Sequence, residues 1–148
     1  MSVDTAAVET ANQEFYSAIE EADLDRMTDI WAQDAEGLRV SCVHPGWPML
    51  SGRGEVLRSW ALIMANTPYI QFVLTDVSTT IFGDVAVLTC AENILTAGDE
   101  GESSFAAGKV VASNTFVKTS EGWRLWMHHG SPVLHGDDDD EEDEEETA

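Results

Sequence analysis

The sequence predicts an α+β roll, in which a curved antiparallel sheet carries helices across one face. Three observations point to it. As far as Ala65, apolar residues recur at spacings of three and four. From Tyr69 onward the period drops to two. The later runs are separated by short Gly/Asp and Glu/Gly turns of the kind that join neighbouring antiparallel strands.

The first helix is predicted over Asp4 to Glu21, where Val8, Ala11, Phe15, Ala18 and Ile19 form one apolar stripe. Asp4 and Thr5 are good start residues, and an acid in the first turn suits the helix dipole. A second, shorter helix follows Asp23-Leu24-Asp25, whose aspartates are placed to cap it, and buries Met27, Ile30 and Trp31. Gly37 closes that region, and Leu38 to His44 reads as a strand. Two prolines and a glycine in His44-Pro45-Gly46-Trp47-Pro48 rule out helix or central strand, and Ser51-Gly52-Arg53-Gly54 makes another turn. A third helix is predicted from Gly54 to Ala65, with Val56, Leu57, Trp60, Ile63 and Met64 inward, ending before Thr67-Pro68. Four strands follow: Ile70 to Ile81, Val85 to Thr96, Ser104 to Thr119 and Trp123 to Ser131. Gly83-Asp84 and Glu121-Gly122 punctuate hairpins in this meander. The sheet face away from the helices stays partly apolar, so a homodimer through the sheet is expected.

The chain has 28 acidic and 7 basic residues, for a net charge of -21. Ten consecutive acids run from Asp137 to Glu146, which predicts a disordered acidic tail over 137–148 after a single domain spanning 1–136. The body is still strongly acidic, which argues against nucleic acid or an anionic membrane as the main partner. Only Lys109 and Lys118 are lysines; such a balance suits a halophilic host and an ordinary acidic protein alike. The N-terminal stretch is polar and acidic, so no export signal is expected, and no run is long enough to span a membrane. Cys42 and Cys90 then read as buried free thiols in a cytoplasmic protein.

His128 and His129 adjoin on a strand and must face opposite ways. His129 shares its phase with Trp123, Leu125 and Met127, so it is expected to face the core as a catalytic base or as a buried structural histidine. His128 shares its phase with Arg124 and Trp126 and is expected on the other face, toward solvent or a second subunit, as a candidate ligand contact. Glu92 lies in an apolar row with Ala86, Leu88, Cys90 and Ile94. It reads either as a buried general acid or base, or as the partner of Arg53 or Arg124 in a structural ion pair. His44 precedes a stiff loop that either presents Trp47 to a flat or apolar ligand or plugs the roll. Trp60 is a candidate for the same wall. Arg53 or Asn114 could polarise a carbonyl, although Asn114 could as easily satisfy a bulge. Tyr16 and Tyr69 could donate to an oxyanion or simply pack. His44, Glu92 and His129 lie on separate elements, without ligand spacing, so no metal is expected. No nucleotide loop, Cys-x-x-Cys or nucleophile elbow is present, and no cofactor is expected.

Several stretches carry a resemblance. They are Cys42-Val43-His44-Pro45-Gly46-Trp47-Pro48, Gly52-Arg53, Ser59-Trp60 and Asn66-Thr67-Pro68, then Asp84 to Val87 and Thr89 to Ile94. Asn114-Thr115-Phe116, Gly122-Trp123-Arg124 and His128-His129-Gly130-Ser131-Pro132 complete the set. Over about residues 8 to 134 the chain resembles an uncharacterised polyketide cyclase (SnoaL)-like branch of the nuclear transport factor two-like superfamily. The resemblance implies a cystatin-like, cone-shaped roll with three helices from the N-terminal half on the concave face of the sheet. The superfamily includes ketosteroid isomerases, scytalone dehydratases, limonene epoxide hydrolases, polyketide cyclases and pure binding domains. That range leaves the activity open, and the few polar groups set among tryptophans and aliphatics give the expectation. It is a small-molecule pocket protein, acting as a cofactor-independent lyase, isomerase or cyclase in which His129, with Glu92 or His44, shuttles a proton in an apolar cavity. The alternative is a non-catalytic ligand-binding or dimeric interaction module.

Overall fold

A computed structural model of the chain describes residues 2–98 and 101–134. The predicted acidic tail lies outside the described residues. The elements run α1 (Val3–Glu20), α2 (Leu24–Ile30), β1 (Ser41–Val43), β2 (Leu50–Ser51), α3 (Arg53–Ala65), β3 (Ile70–Phe82), β4 (Val85–Gly98), β5 (Gly101–Thr119) and β6 (Gly122–Pro132). The strands form one six-stranded sheet in the order β2-β1-β6-β5-β4-β3, and the helices cover one of its faces. This is the predicted α+β roll.

Helix α1 begins one residue early, because Ser2 Oγ accepts the Thr5 backbone N–H at 3.0 Å. Asp4 thus becomes a first-turn residue, and its carboxylate meets Lys118 at 3.1 Å. Asp23 caps α2 as expected, accepting the Arg26 N–H at 3.1 Å. The β3–β4 hairpin turns at Gly83, whose φ of 64° is costly for a residue with a Cβ.

The sheet is mixed rather than wholly antiparallel, because β1 pairs parallel with β6. Parallel neighbours need a long crossover, and the chain from β2 to β5 supplies it. Two small departures surround β1. The predicted Leu38-to-His44 strand shrinks because Leu38 bonds back to Ala35 in a turn and Val40 N–H donates to Asp34 Oδ1. The two-residue β2 was not expected, being too short to show a period.

The core lies between the helices and the inner sheet face, centred on Phe15, Trp31, Leu88, Phe116 and Leu125, all at most 2% exposed. Each such side chain contributes roughly 1.5–3 kcal/mol of burial.

A bulge in β6 decides which histidine enters that core. Leu125 pairs with Phe116, but the next pair is Met127 with Thr115, so Trp126 is an extra residue. An inserted residue inverts the alternation beyond it. Trp123 and Leu125 point inward, Met127 turns to the outer face, and His128 returns inward at 3% exposure. His129 is exposed. The sequence expectation for this pair is therefore reversed: strict period two holds only up to Trp126.

Candidate functional site

An apolar cavity of about 350 Å³ opens between α1, α3 and the inner face of the sheet. Ile19, Trp47, Phe72, Ile94 and Val110 help line it, and His44, Glu92 and His128 reach it as polar groups. Two larger hollows, of about 490 and 530 Å³, lie beside His129 and beneath Arg53 and Arg124. Neither holds a buried carboxyl or imidazole. Convergent buried polar groups in an apolar setting single out the smaller cavity.

Glu92 comes from the inner row of β4 and is 4% exposed. Its partner is neither Arg53 nor Arg124 but Tyr16 of α1, whose hydroxyl donates to Glu92 Oε2 at 2.6 Å. Burial raises the Glu92 pKa to about 7, and the Tyr16 hydrogen bond restrains the rise. The same burial, with the carboxylate alongside, pushes the Tyr16 phenol above its ordinary range. The second oxygen, Glu92 Oε1, has no hydrogen-bond partner among the described residues.

Behind this pair the hydrogen bonds run in one direction. Asn114, wholly buried on β5, donates from Nδ2 to Tyr16 Oη at 3.1 Å and to Asn12 Oδ1 at 2.8 Å. Both amide hydrogens are thereby used, so Asn114 Oδ1 must accept. It lies 2.6 Å from His128 Nδ1, which therefore carries the proton. A neutral imidazole has only one N–H, so His128 Nε2 is left as a lone pair. Burial holds the His128 pKa down at about 3, with His44 and His129 nearby adding to the effect.

His44 sits at the end of β1, 3% exposed, with its ring edge-on to Trp47 and Trp60. Ser59 Oγ donates its single hydrogen to the Val56 carbonyl at 2.6 Å. The 2.9 Å contact between Ser59 Oγ and His44 Nε2 must then be donated by His44. This leaves His44 Nδ1 as the acceptor, with only the Cys42 thiol nearby at 3.9 Å. Burial lowers the His44 pKa to about 4. Both imidazoles are neutral at physiological pH.

The structure thus gathers Glu92, His44, His128, Trp47 and Trp60 around one cavity, with Asn114 directly behind. It leaves out Arg53, whose guanidinium is spent on the Trp31, Ala32 and Thr28 carbonyls at 2.6, 3.0 and 2.7 Å. It also leaves out His129, which stands on the other face of the sheet. Asn12 escaped the sequence reading, and Ser59 entered it only beside Trp60 in the resemblance, without a role. Asn12 does fall four residues before Tyr16, on the same helical face, which is the signal that could have found it.

Chemically, the cavity offers a carboxyl able to hold or release a proton near neutrality, and two neutral imidazoles whose protons point away from it. Such a set suits proton transfer on an uncharged molecule.

Comparison with known proteins bears on this architecture. A solved structure of a candidate dehydratase of the NTF2-like family from Streptomyces avermitilis is 50% identical, with a TM-score of 0.82, covering 88% of this chain and 97% of that one. A candidate calcium/calmodulin-dependent protein kinase type II association domain from Thiobacillus denitrificans is 29% identical, with a TM-score of 0.72, covering 85% and 94% respectively. Among curated proteins, the F-box protein SKIP8 of Arabidopsis thaliana is 27% identical over 133 residues, which is 90% of this chain. The chain spans about half that protein's length, at 52%. The SnoaL-like domain matches residues 8–135, and the chain belongs to that family, on the NTF2-like fold.

Proposed function

We propose that this chain is a small-molecule pocket protein in which Glu92 moves a proton inside an apolar cavity, as a cofactor-independent lyase, isomerase or cyclase. One observation carries the reading: a 4%-exposed carboxyl with a pKa of about 7, bonded to Tyr16 and open to that cavity. A group titrating near the working pH is present in both its acid and base forms, which is the condition for general acid–base catalysis. Trp47 and Trp60 shape the wall for a flat, apolar ligand, and His44 and His128 receive its polar end. Asn114 acts behind the wall by orienting His128. His129 and Arg53, both expected at the site from sequence, take no part in this reading. The name of the Streptomyces relative agrees with a lyase.

Tetralone, a flat uncharged ketone with an enolisable position, tests the idea in deuterium oxide. The protein is expected to accelerate deuterium uptake with an apparent pKa of about 7. Glu92→Gln should lose about 10²–10⁴-fold of that acceleration. Equal rates in the two proteins would leave the cavity as a binding site without chemistry.

A second reading, a dimeric interaction module, has its own observation. Val73, Val77, Val87 and Val111 stand 64%, 46%, 38% and 49% exposed on strands β3, β4 and β5. The relative named as a kinase association domain agrees with assembly. The two readings are compatible, and the form we propose is a homodimer through the outer sheet face, with the cavities facing away from each other. Two buried free thiols suit the cytoplasm. Among the described residues no helix is long and apolar enough to cross a membrane.

A further inference from the structure

Where the hydrogens lie in the cavity wall limits what can bind there. Tyr16 spends its hydroxyl hydrogen on Glu92, Asn114 spends its two amide hydrogens on Tyr16 and Asn12, and His128 Nδ1–H is spent on Asn114. His44 Nε2–H is spent on Ser59. The cavity therefore meets the acceptor side of each ring. His128 Nε2 has no partner among the described residues, and His44 Nδ1 has only a distant thiol. The lining includes no lysine or arginine. The Trp60 indole N–H is fully buried and without a partner, so it is shut away from the cavity in this conformation. Among the described residues the donors left to the wall are the Glu92 carboxyl, through Oε1 while it is protonated, and, at the exposed mouth, the indole N–H of Trp47.

We infer that the ligand class is an uncharged hydroxyl compound, a phenol or enol, whose O–H donates to the Nε2 lone pair of His128. The inference rests on the pocket reading above but not on catalysis. An anion would bring further lone pairs against two imidazole acceptors and a carboxyl, with no cation to offset its lost hydration. A hydrocarbon or ether would displace water from Nε2 and leave that acceptor unpaired. A hydroxyl satisfies it. Phe72, Trp47 and Val110 accommodate the apolar remainder of the molecule. A carbonyl elsewhere on the same ligand would find the Glu92 Oε1 proton, so a hydroxy-carbonyl compound engages both ends.

Calorimetric titration of the full chain with naphthol, its methyl ether and naphthoate, at about pH 6 where the first is neutral and the last charged, tests the inference. Naphthol is expected to bind about tenfold tighter than the ether, with naphthoate weaker than either. His128→Asn keeps an N–H near Nδ1 for Asn114 but has no atom at Nε2. It should abolish the preference, so that naphthol and the ether bind with equal affinity. Should that variant fail to fold, imidazole-nitrogen NMR of the wild type decides the matter. His128 should be the Nδ1–H tautomer, with an Nε2 signal that moves on adding naphthol. Naphthol and ether binding equally, or an Nε2–H tautomer, would overturn the hydroxyl inference and leave the pocket reading standing. Tighter binding of naphthoate would overturn the uncharged class. No binding by any neutral probe would bring down both.

Discussion

The Tyr16 hydroxyl lies 2.6 Å from Glu92 Oε2 and ties helix α1 to the inner face of β4. This bond reconciles an ionisable carboxyl with an apolar surround. It supplies one donor to the charged form and so restrains the rise that burial imposes, with Glu92 titrating at about 7.

The Glu92 pKa makes stability depend on pH with a definite sign. The group titrates at about 7 when folded and near 4.5 when unfolded. Between those values the folded state holds the extra proton, so the stability this group lends is complete below 4.5 and is lost as pH rises through 7. Glu92→Gln should therefore gain, relative to wild type, on the order of 3 kcal/mol on going from acid to alkaline conditions. Urea unfolding across pH measures it. His44 and His128 act in the opposite sense. Their folded values of about 4 and about 3 lie below 6.5, so their contribution is present above 6.5 and lost as pH falls through the folded values. The acid limb of the profile should survive in Glu92→Gln.

Gly130 leaves room for the loop at the cavity mouth. A Cβ there would stand 3.2 Å from Val110 Cγ1 and 3.3 Å from Pro45 Cγ. Gly130→Ala should cost about 1–3 kcal/mol by overpacking. Trp47, 37% exposed at the mouth, should report the loop shift through its fluorescence.

Arg53 is held by backbone carbonyls outside the cavity. Its guanidinium satisfies three carbonyls at the end of α2 and just beyond, so Arg53→Met should destabilise the fold by about 1–3 kcal/mol. The Glu92 titration should not change. A shifted Glu92 would instead place Arg53 in the site.

The outer sheet face makes a separate prediction. Val111→Glu sets a charge in the apolar surface opposite the cavity, so the proposed homodimer should dissociate to monomer in sedimentation. Naphthol binding by the monomer should persist.

The fold was largely legible because its signals are local. The stripe of Val8, Phe15 and Ile19, and the row of Ala86, Leu88, Cys90 and Glu92, announce their buried faces by spacing alone. Glu92 stood out for the same reason. His129 was misread because one inserted residue, Trp126, inverts the strand phase, and a bulge has no periodic signature. Arg53 was misread because its acceptors are backbone carbonyls 21 to 25 residues away, which side-chain identity does not encode. Tyr16 and Asn12 could be placed on α1, but the 76 residues separating Tyr16 from Glu92 are bridged only by the tertiary fold.

The most direct measurement is a carboxyl-carbon NMR titration of Glu92, in wild type and in Tyr16→Phe. Glu92 is expected to titrate with a midpoint of about 7 in wild type, moving upward when the Tyr16 donor is removed. A midpoint near 4.5, unmoved by the substitution, would contradict it.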